Sequence, residues 1–253
     1  MKTLFRLIAF EFSLIRMLFF RVIFERLTNT FMAAFAGFAA VYYSAYVSRG
    51  VYVIDATPDN LSRVQGMILF SFLYAETIMA NWQYTTNKTG RMELIFNSTQ
   101  PPLRIIFAKS FASACITLAS MIVLYFGPLA WFGLLGAFKL AFWLVAGATL
   151  FVCCAVMSFN AVFEFQLKQV KALTSMLNLV LPYLAMRYAK FLPESFGFLP
   201  YFNGARFLGL ADGYGLGDVL WLYLTGAVTG LLFLLFAQMV VSRIRRTASV
   251  YLE

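Results

Sequence analysis

The 253-residue sequence contains no histidine. That removes the commonest metal ligand and the commonest general base. Charge is scarce too: Asp, Glu, Lys and Arg together make up 12% of the chain, too little to coat a water-soluble domain. The three cysteines, Cys115, Cys153 and Cys154, all fall inside apolar runs, which argues against a disulfide framework or a thiolate metal site. What is abundant is apolar. Hydrophobic residues reach 62%, with 29 Phe and a mean hydropathy of +0.79, the composition of an integral membrane protein. In such a chain the net charge of +9 reads as the Lys and Arg excess of cytoplasmic loops. It does not point to a nucleic-acid partner.

A membrane span needs about 20 apolar residues to cross a hydrocarbon core about 30 Å thick. Six segments qualify: 28–47, 64–83, 105–126, 140–163, 172–190 and 219–241. The third ends at Gly127-Pro128, a turn signal. Residues 1–26 precede them as a basic amphipathic helix. Leu4, Ile8, Phe12, Ile15, Phe19 and Val22 recur at helical spacing on one face, and Lys2, Arg6, Ser13, Arg16, Arg21 and Glu25 gather opposite. Glu11 falls off that polar arc. A basic face suits anionic cytoplasmic lipid. The competing reading, one continuous helix into the first span, must bury several arginines. Those same charges break the apolar run of a cleavable signal peptide.

Loop charge sets the orientation. The N-terminal segment sums to +3, loop 83–104 to +2, loop 164–171 to +1 and the tail to +2. Loop 48–63 and segment 187–218 sum to zero. Positive and neutral segments alternate, with only Lys139 against the pattern. Both termini are thereby placed in the cytoplasm. Residues 191–218 are too apolar for a free loop, yet Pro193, Pro200, Gly204 and Gly209 interrupt any full span. Short re-entrant helices fit both facts. The fold expected is all-α and membrane-embedded. It has one domain over 1–253: six transmembrane helices, an interfacial helix at 1–26 and an outer re-entrant segment at 191–218.

The longest polar interruption is 83–104. Its Met92, Ile95 and Phe96 lie at three- and four-residue spacing, and Pro101-Pro102 would stop a helix. Two readings stand side by side: a docking element for a partner, or a solvated loop with an incidental amphipathic turn. Inside the second span, Glu76 lies about 12 Å from the cytoplasmic end at 1.5 Å per residue. An intramembrane carboxylate is functional by default. It has three possible roles: pairing with Arg21 or Arg26, lining a cation-accepting cavity, or relaying protons in a secondary transporter. The fifth span carries Thr174, Ser175, Asn178 and Pro182, a pattern of either a substrate path or helix–helix hydrogen bonding.

Three local patterns then occur in order. A basic amphipathic helix precedes the first span. Gly90, Glu93 and Ile95 precede Pro101 between the second and third spans. Leu199-Pro200-Tyr201 precedes the last span. This arrangement resembles the permease subunit of type-two ATP-binding-cassette exporters, whose fold is shared with the G subfamily; Ile95 stands where that family's pattern has Leu. The resemblance implies a half-transporter that pairs with a second permease chain, as homodimer or heterodimer, and with a separate ATP-binding-cassette ATPase subunit. No G-x-x-x-x-G-K-[ST] phosphate loop occurs in this chain, so ATP and magnesium belong to the ATPase, and this chain is expected to bind no cofactor and to catalyse no reaction.

The resemblance also makes 83–104 a coupling element built on Gly90, Arg91, Met92, Glu93, Ile95, Phe96 and Pro101. Met92, Ile95 and Phe96 would fill an apolar groove on the motor, while Arg91 and Glu93 set orientation. In that fold the second and fifth spans line a central cavity, which nominates Phe72, Glu76, Met79, Asn178 and Leu181 as its lining. The expected home is a bacterial inner membrane. The alternative is a secondary transporter coupled through Glu76.

Overall fold

The computed structural model describes residues 2–17, 28, 31–32, 34–35, 57–85, 95–166, 180, 184, 199, 201–210 and 213–250. Apart from those few positions, the first segment, 28–47, and the fifth, 172–190, lie outside the described residues. Among the described residues the regular structure is helical. The elements are α1 (Lys2–Met17), α2 (Pro58–Thr85), α3 (Pro102–Trp131), a 3₁₀ turn (Leu135–Phe138), α4 (Leu140–Gln166), α5 (Phe202–Gly209) and α6 (Leu216–Val250).

Three of these are long and apolar enough to cross a membrane: Pro102–Trp131, Leu140–Glu164 and Leu216–Arg246. They contain the third, fourth and sixth segments read from the sequence. The second segment lies within the 28-residue α2, about 42 Å long at 1.5 Å per residue.

Helix α3 shows how sequence sets its limits. Pro102 occupies its first turn, where a missing amide hydrogen costs nothing. Small residues, Ala108, Ser110, Ala112, Ser113 and Ala114, line its buried side and let neighbouring helices approach closely. The turn expected at Gly127-Pro128 is not where the chain reverses. Pro128 sits inside the last turn and the helix runs on to Trp131, because one lost amide near a helix end is tolerated. The reversal is at Gly133, whose φ of 69° suits glycine. Gly133 N–H donates to Ala130 O at 3.2 Å and Leu134 N–H to Leu129 O at 2.7 Å, the paired bonds of a Schellman C-cap.

Helix α4 is the centre of the bundle. It packs on α2, α3, α5 and, most extensively, α6. Helices α4 and α6 run parallel: Tyr223 Oη donates to Leu144 O at 3.1 Å near one end, and Phe159 meets Phe233 edge-on at 5.6 Å further along. Their seam is built on glycine. A Cβ at Gly226 would meet Val152 and Ala148 at ordinary distances of 3.7 Å and more, but one at Gly230 would lie 2.4 Å from the Phe151 ring.

Within segment 191–218, α5 lies on α4, α2 and α6, burying Phe202, Gly204, Ala205, Phe207 and Leu208.

Candidate functional site

The two ends of the bundle differ in chemistry. At one end stand Trp131 (end of α3), Trp143 (start of α4), and Trp221 and Tyr223 (start of α6), all exposed, Trp131 by 86%. Amphipathic rings of this kind settle at a membrane–water interface. At the other end stand Arg104 at the start of α3 and Arg243, Arg245 and Arg246 near the end of α6, exposed as well.

The polar element emerges at the arginine end. Its first three residues, 83–85, end α2 and the description resumes at Ile95; Gly90, Arg91, Met92 and Glu93 lie outside the described residues. Ser98 closes a turn, its Oγ donating to Ile95 O at 2.8 Å and its N–H to the same carbonyl at 3.3 Å. Ile95 and Phe96 are half-buried. They pack against a small apolar cluster of Ile106, Ala161, Val162 and Val241, which joins the start of α3 to the far ends of α4 and α6. Asn97, Thr99, Pro101 and Arg104 face outward. Spacing alone placed Met92, Ile95 and Phe96 on one face; the fold turns Ile95 and Phe96 of that face onto the chain's own helices.

Helix α1 bears on the same region through α3. Leu4, Leu7, Ile8 and Glu11 form its half-buried face, while Phe5, Arg6, Phe10, Phe12 and Ser13 point outward. Phe12 is thus not on the face shared by Leu4 and Ile8, and Glu11, an outlier on the polar arc, is turned toward the protein and feels the charge of Lys109. Burial raises the Glu11 carboxyl above its ordinary 4.5, and Lys109 offsets part of that rise. A carboxyl with a raised folded-state value destabilises the fold when it ionises, so this contribution is lost as pH climbs above 4.5. Glu11→Gln is therefore expected to flatten the fall in melting temperature between pH 4.5 and neutrality, read by thermal unfolding in detergent.

The second candidate is Glu76 on α2, 1% exposed. Thr117 Oγ1 on α3 donates to its Oε2 at 2.7 Å and also to Ser113 O at 3.1 Å. Cys115, Cys153 and Cys154 are close enough to feel its charge. Glu76 thus lies where α2, α3 and α4 meet, inside this chain. Phe72, one turn earlier, is fully buried in the same core. Met79 lies on α2 three residues beyond Glu76, and Asn178, Leu181, Arg21 and Arg26 lie outside the described residues. A turn above Glu76 on α2, Ser71 and Tyr125 hydrogen-bond at 2.8 Å, and Tyr125 Oη donates to Ala34 O at 3.0 Å. Ser71 is therefore the donor to Tyr125, and α3 is tied to both flanking segments.

Tyr201 closes this core from the N-terminus of α5. It adopts φ 73°, ψ −17°, a left-handed conformation costing about 1–2 kcal/mol for a residue with a Cβ. It is held there by burial and by a side-chain hydrogen bond with Cys153. Beside it, Thr149, Asn203, Thr225 and Thr229 line a cavity of about 20 Å³ between α4, α5 and α6, room for one water molecule. Asn203 Nδ2 donates to Thr225 Oγ1, which in turn donates to Trp221 O at 2.8 Å.

Sequence reasoning missed Thr117, the Ser71–Tyr125 bond and the strain at Tyr201, none of which has a periodic signal. It also missed Gly226-x-x-x-Gly230, whose spacing is a known helix-packing signal. Compared with known proteins, the chain matches no family model, no curated protein and no solved structure.

Proposed function

We propose that this chain is the membrane-spanning subunit of an ATP-binding-cassette exporter, moving an apolar or amphipathic cargo with energy from a separate ATPase. The observation that carries the reading is the bracing of Ile95 and Phe96 on the ends of α3, α4 and α6. A load received by a polar element at the arginine end then reaches three membrane helices directly. Glu93, Gly90 and Pro101 are the positions that tie this element to the exporter family in sequence.

Six spans with both termini cytoplasmic, in a bacterial inner membrane, belong to the same proposal. The chain ends support it. Helix α2 starts at the tryptophan end, where Gln65 Nε2 donates to Ala137 O of the 3₁₀ turn at 2.8 Å. Helix α1 bears on the arginine-end part of α3 through Glu11 and Lys109. Likewise α4 finishes at the arginine end and α6 begins at the tryptophan end. Each pair leaves room for one further crossing, at 28–47 and 172–190. In this reading a second permease chain completes the path, and ATP and magnesium are bound by the ATPase.

The test is co-expression with a phosphate-loop ATPase subunit from the same organism. The two proteins are expected to co-purify, and the complex in nanodiscs to hydrolyse ATP faster than the ATPase alone. Export that persists with a motor-dead ATPase, and stops when the proton gradient is collapsed, would transfer the assignment to the alternative, a secondary transporter working through the buried Glu76.

A further inference from the structure

The exporter reading, on which this inference rests, leaves open which side of the polar element meets the motor. Helical spacing made Ile95 and Phe96 plugs for an apolar groove on a partner. In the fold these two side chains are already used: both pack on Ile106, Ala161, Val162 and Val241, with Val240 and Ile244 alongside. Moving them to a partner would strip the ends of α3, α4 and α6 of their cover. Among the described residues of the element, Asn97, Thr99, Pro101 and Arg104 face outward, a polar surface with a guanidinium at its edge. Because Ile106 and Val241 share one cluster, the exposed Arg245 and Arg246 of α6 lie at the same end of the bundle as Arg104.

We infer that the partner-facing surface of this element is its polar side, Asn97, Thr99 and Arg104, and that it fits an acidic, hydrogen-bonding face of the ATPase. Ile95 and Phe96 serve as an inward brace. Four guanidinium groups at one end, those of Arg104, Arg243, Arg245 and Arg246, give that face its complement, since like charges are rejected and opposite ones steer approach. The brace has a mechanical result. The element connects α2 to α3 in sequence, but through Phe96 it also bears on α4 and α6, so a displacement is shared with helices it does not join.

The experiment places a photoreactive benzoylphenylalanine at Phe96 or at Thr99 in the full-length protein in cells and maps the adducts by mass spectrometry. The probe at 96 keeps the phenyl ring of the side chain it replaces and adds a benzoyl group at its para position. The inference requires adducts from 96 to fall within this chain, on peptides from the ends of α4 or α6. It requires adducts from 99 to fall on a second polypeptide carrying a phosphate loop, and to disappear in Arg104→Glu. Adducts from 96 on another protein would overturn the brace. Adducts from 99 only on lipid or on this chain, or 99 adducts unchanged by Arg104→Glu, would overturn the surface. Adducts from 99 on a protein without a phosphate loop would refute the exporter reading while the brace stands. Should the probe at 96 prevent insertion, a cysteine pair at positions 96 and 241 asks the same question: oxidative cross-linking supports the brace and its absence opposes it.

Discussion

Glu76→Gln is expected to insert, fold and transport like the natural protein, whereas Glu76→Ala loses stability by about 2–4 kcal/mol. Glutamine keeps the volume and the carbonyl that Thr117 Oγ1 bonds at 2.7 Å. Alanine leaves a void among helices at a position only 1% exposed, and a void of that size carries most of the cost. The lost interhelical hydrogen bond adds about 0.6 kcal/mol, because Thr117 retains the Ser113 carbonyl as a second acceptor. Unfolding in mixed micelles separates the two variants in stability, and cargo export separates them in function. The pair also decides between the transport readings. A carboxylate that relays protons cannot be replaced by an amide, so a folded but inactive Glu76→Gln would favour the secondary transporter.

The second large effect is at the glycine seam. Gly230→Ala should destabilise the protein by about 1–3 kcal/mol, while Gly226→Ala, one turn earlier, should be neutral or slightly stabilising. In sequence the two glycines are equivalent halves of one motif. In space they are not. The new methyl group at 226 meets its neighbours at van der Waals distance, whereas at 230 it lies 2.4 Å and 2.9 Å from two Phe151 ring carbons. That ring rests edge-on against Phe107 at 6.3 Å, so its retreat disturbs α3 as well. At 226, alanine gains helix propensity of up to about 1 kcal/mol over glycine. Adding Phe151→Leu to Gly230→Ala should recover most of the loss. Equal effects at both glycines would show that the seam is set by something other than this contact.

The parts of the fold legible in the sequence were those written in apolar length. The third, fourth and sixth segments coincide with helices able to cross a membrane, since a run of about 20 apolar residues has few other uses. Their ends were less legible. Gly127-Pro128 looks like a turn, yet Gly133 does the turning, and which of two glycines ends a helix depends on the bonds available to Leu134 and Gly133. The site shows the same division. Periodicity placed Ile95 and Phe96 on one side of the element, but periodicity says nothing about which neighbour that side meets; the answer needed Val162 and Val241, far away in sequence. Glu11 looked misplaced on its helix until α3 brought Lys109 beside it. Glu76 invited an arginine as partner, because a charge in a span looks for its opposite. Among the described residues Thr117 donates a hydroxyl to it from α3, while Arg21 and Arg26 lie outside the described residues.

The parallel seam of α4 and α6 also sets an order on biosynthesis. Helix α4 leaves the ribosome well before Gly226 and Gly230 exist, and at about 5–20 residues per second the delay is on the order of 3–13 seconds. Throughout that interval Ala148 and Thr149, which α6 and α5 later cover, have not yet met either helix. Helix α4 is the most enclosed of the three apolar helices, 67% buried against 22% for α6, so the segment that depends most on its neighbours is made before the neighbour that covers it. A chain cut short before Leu216 would leave that face open for quality control to recognise.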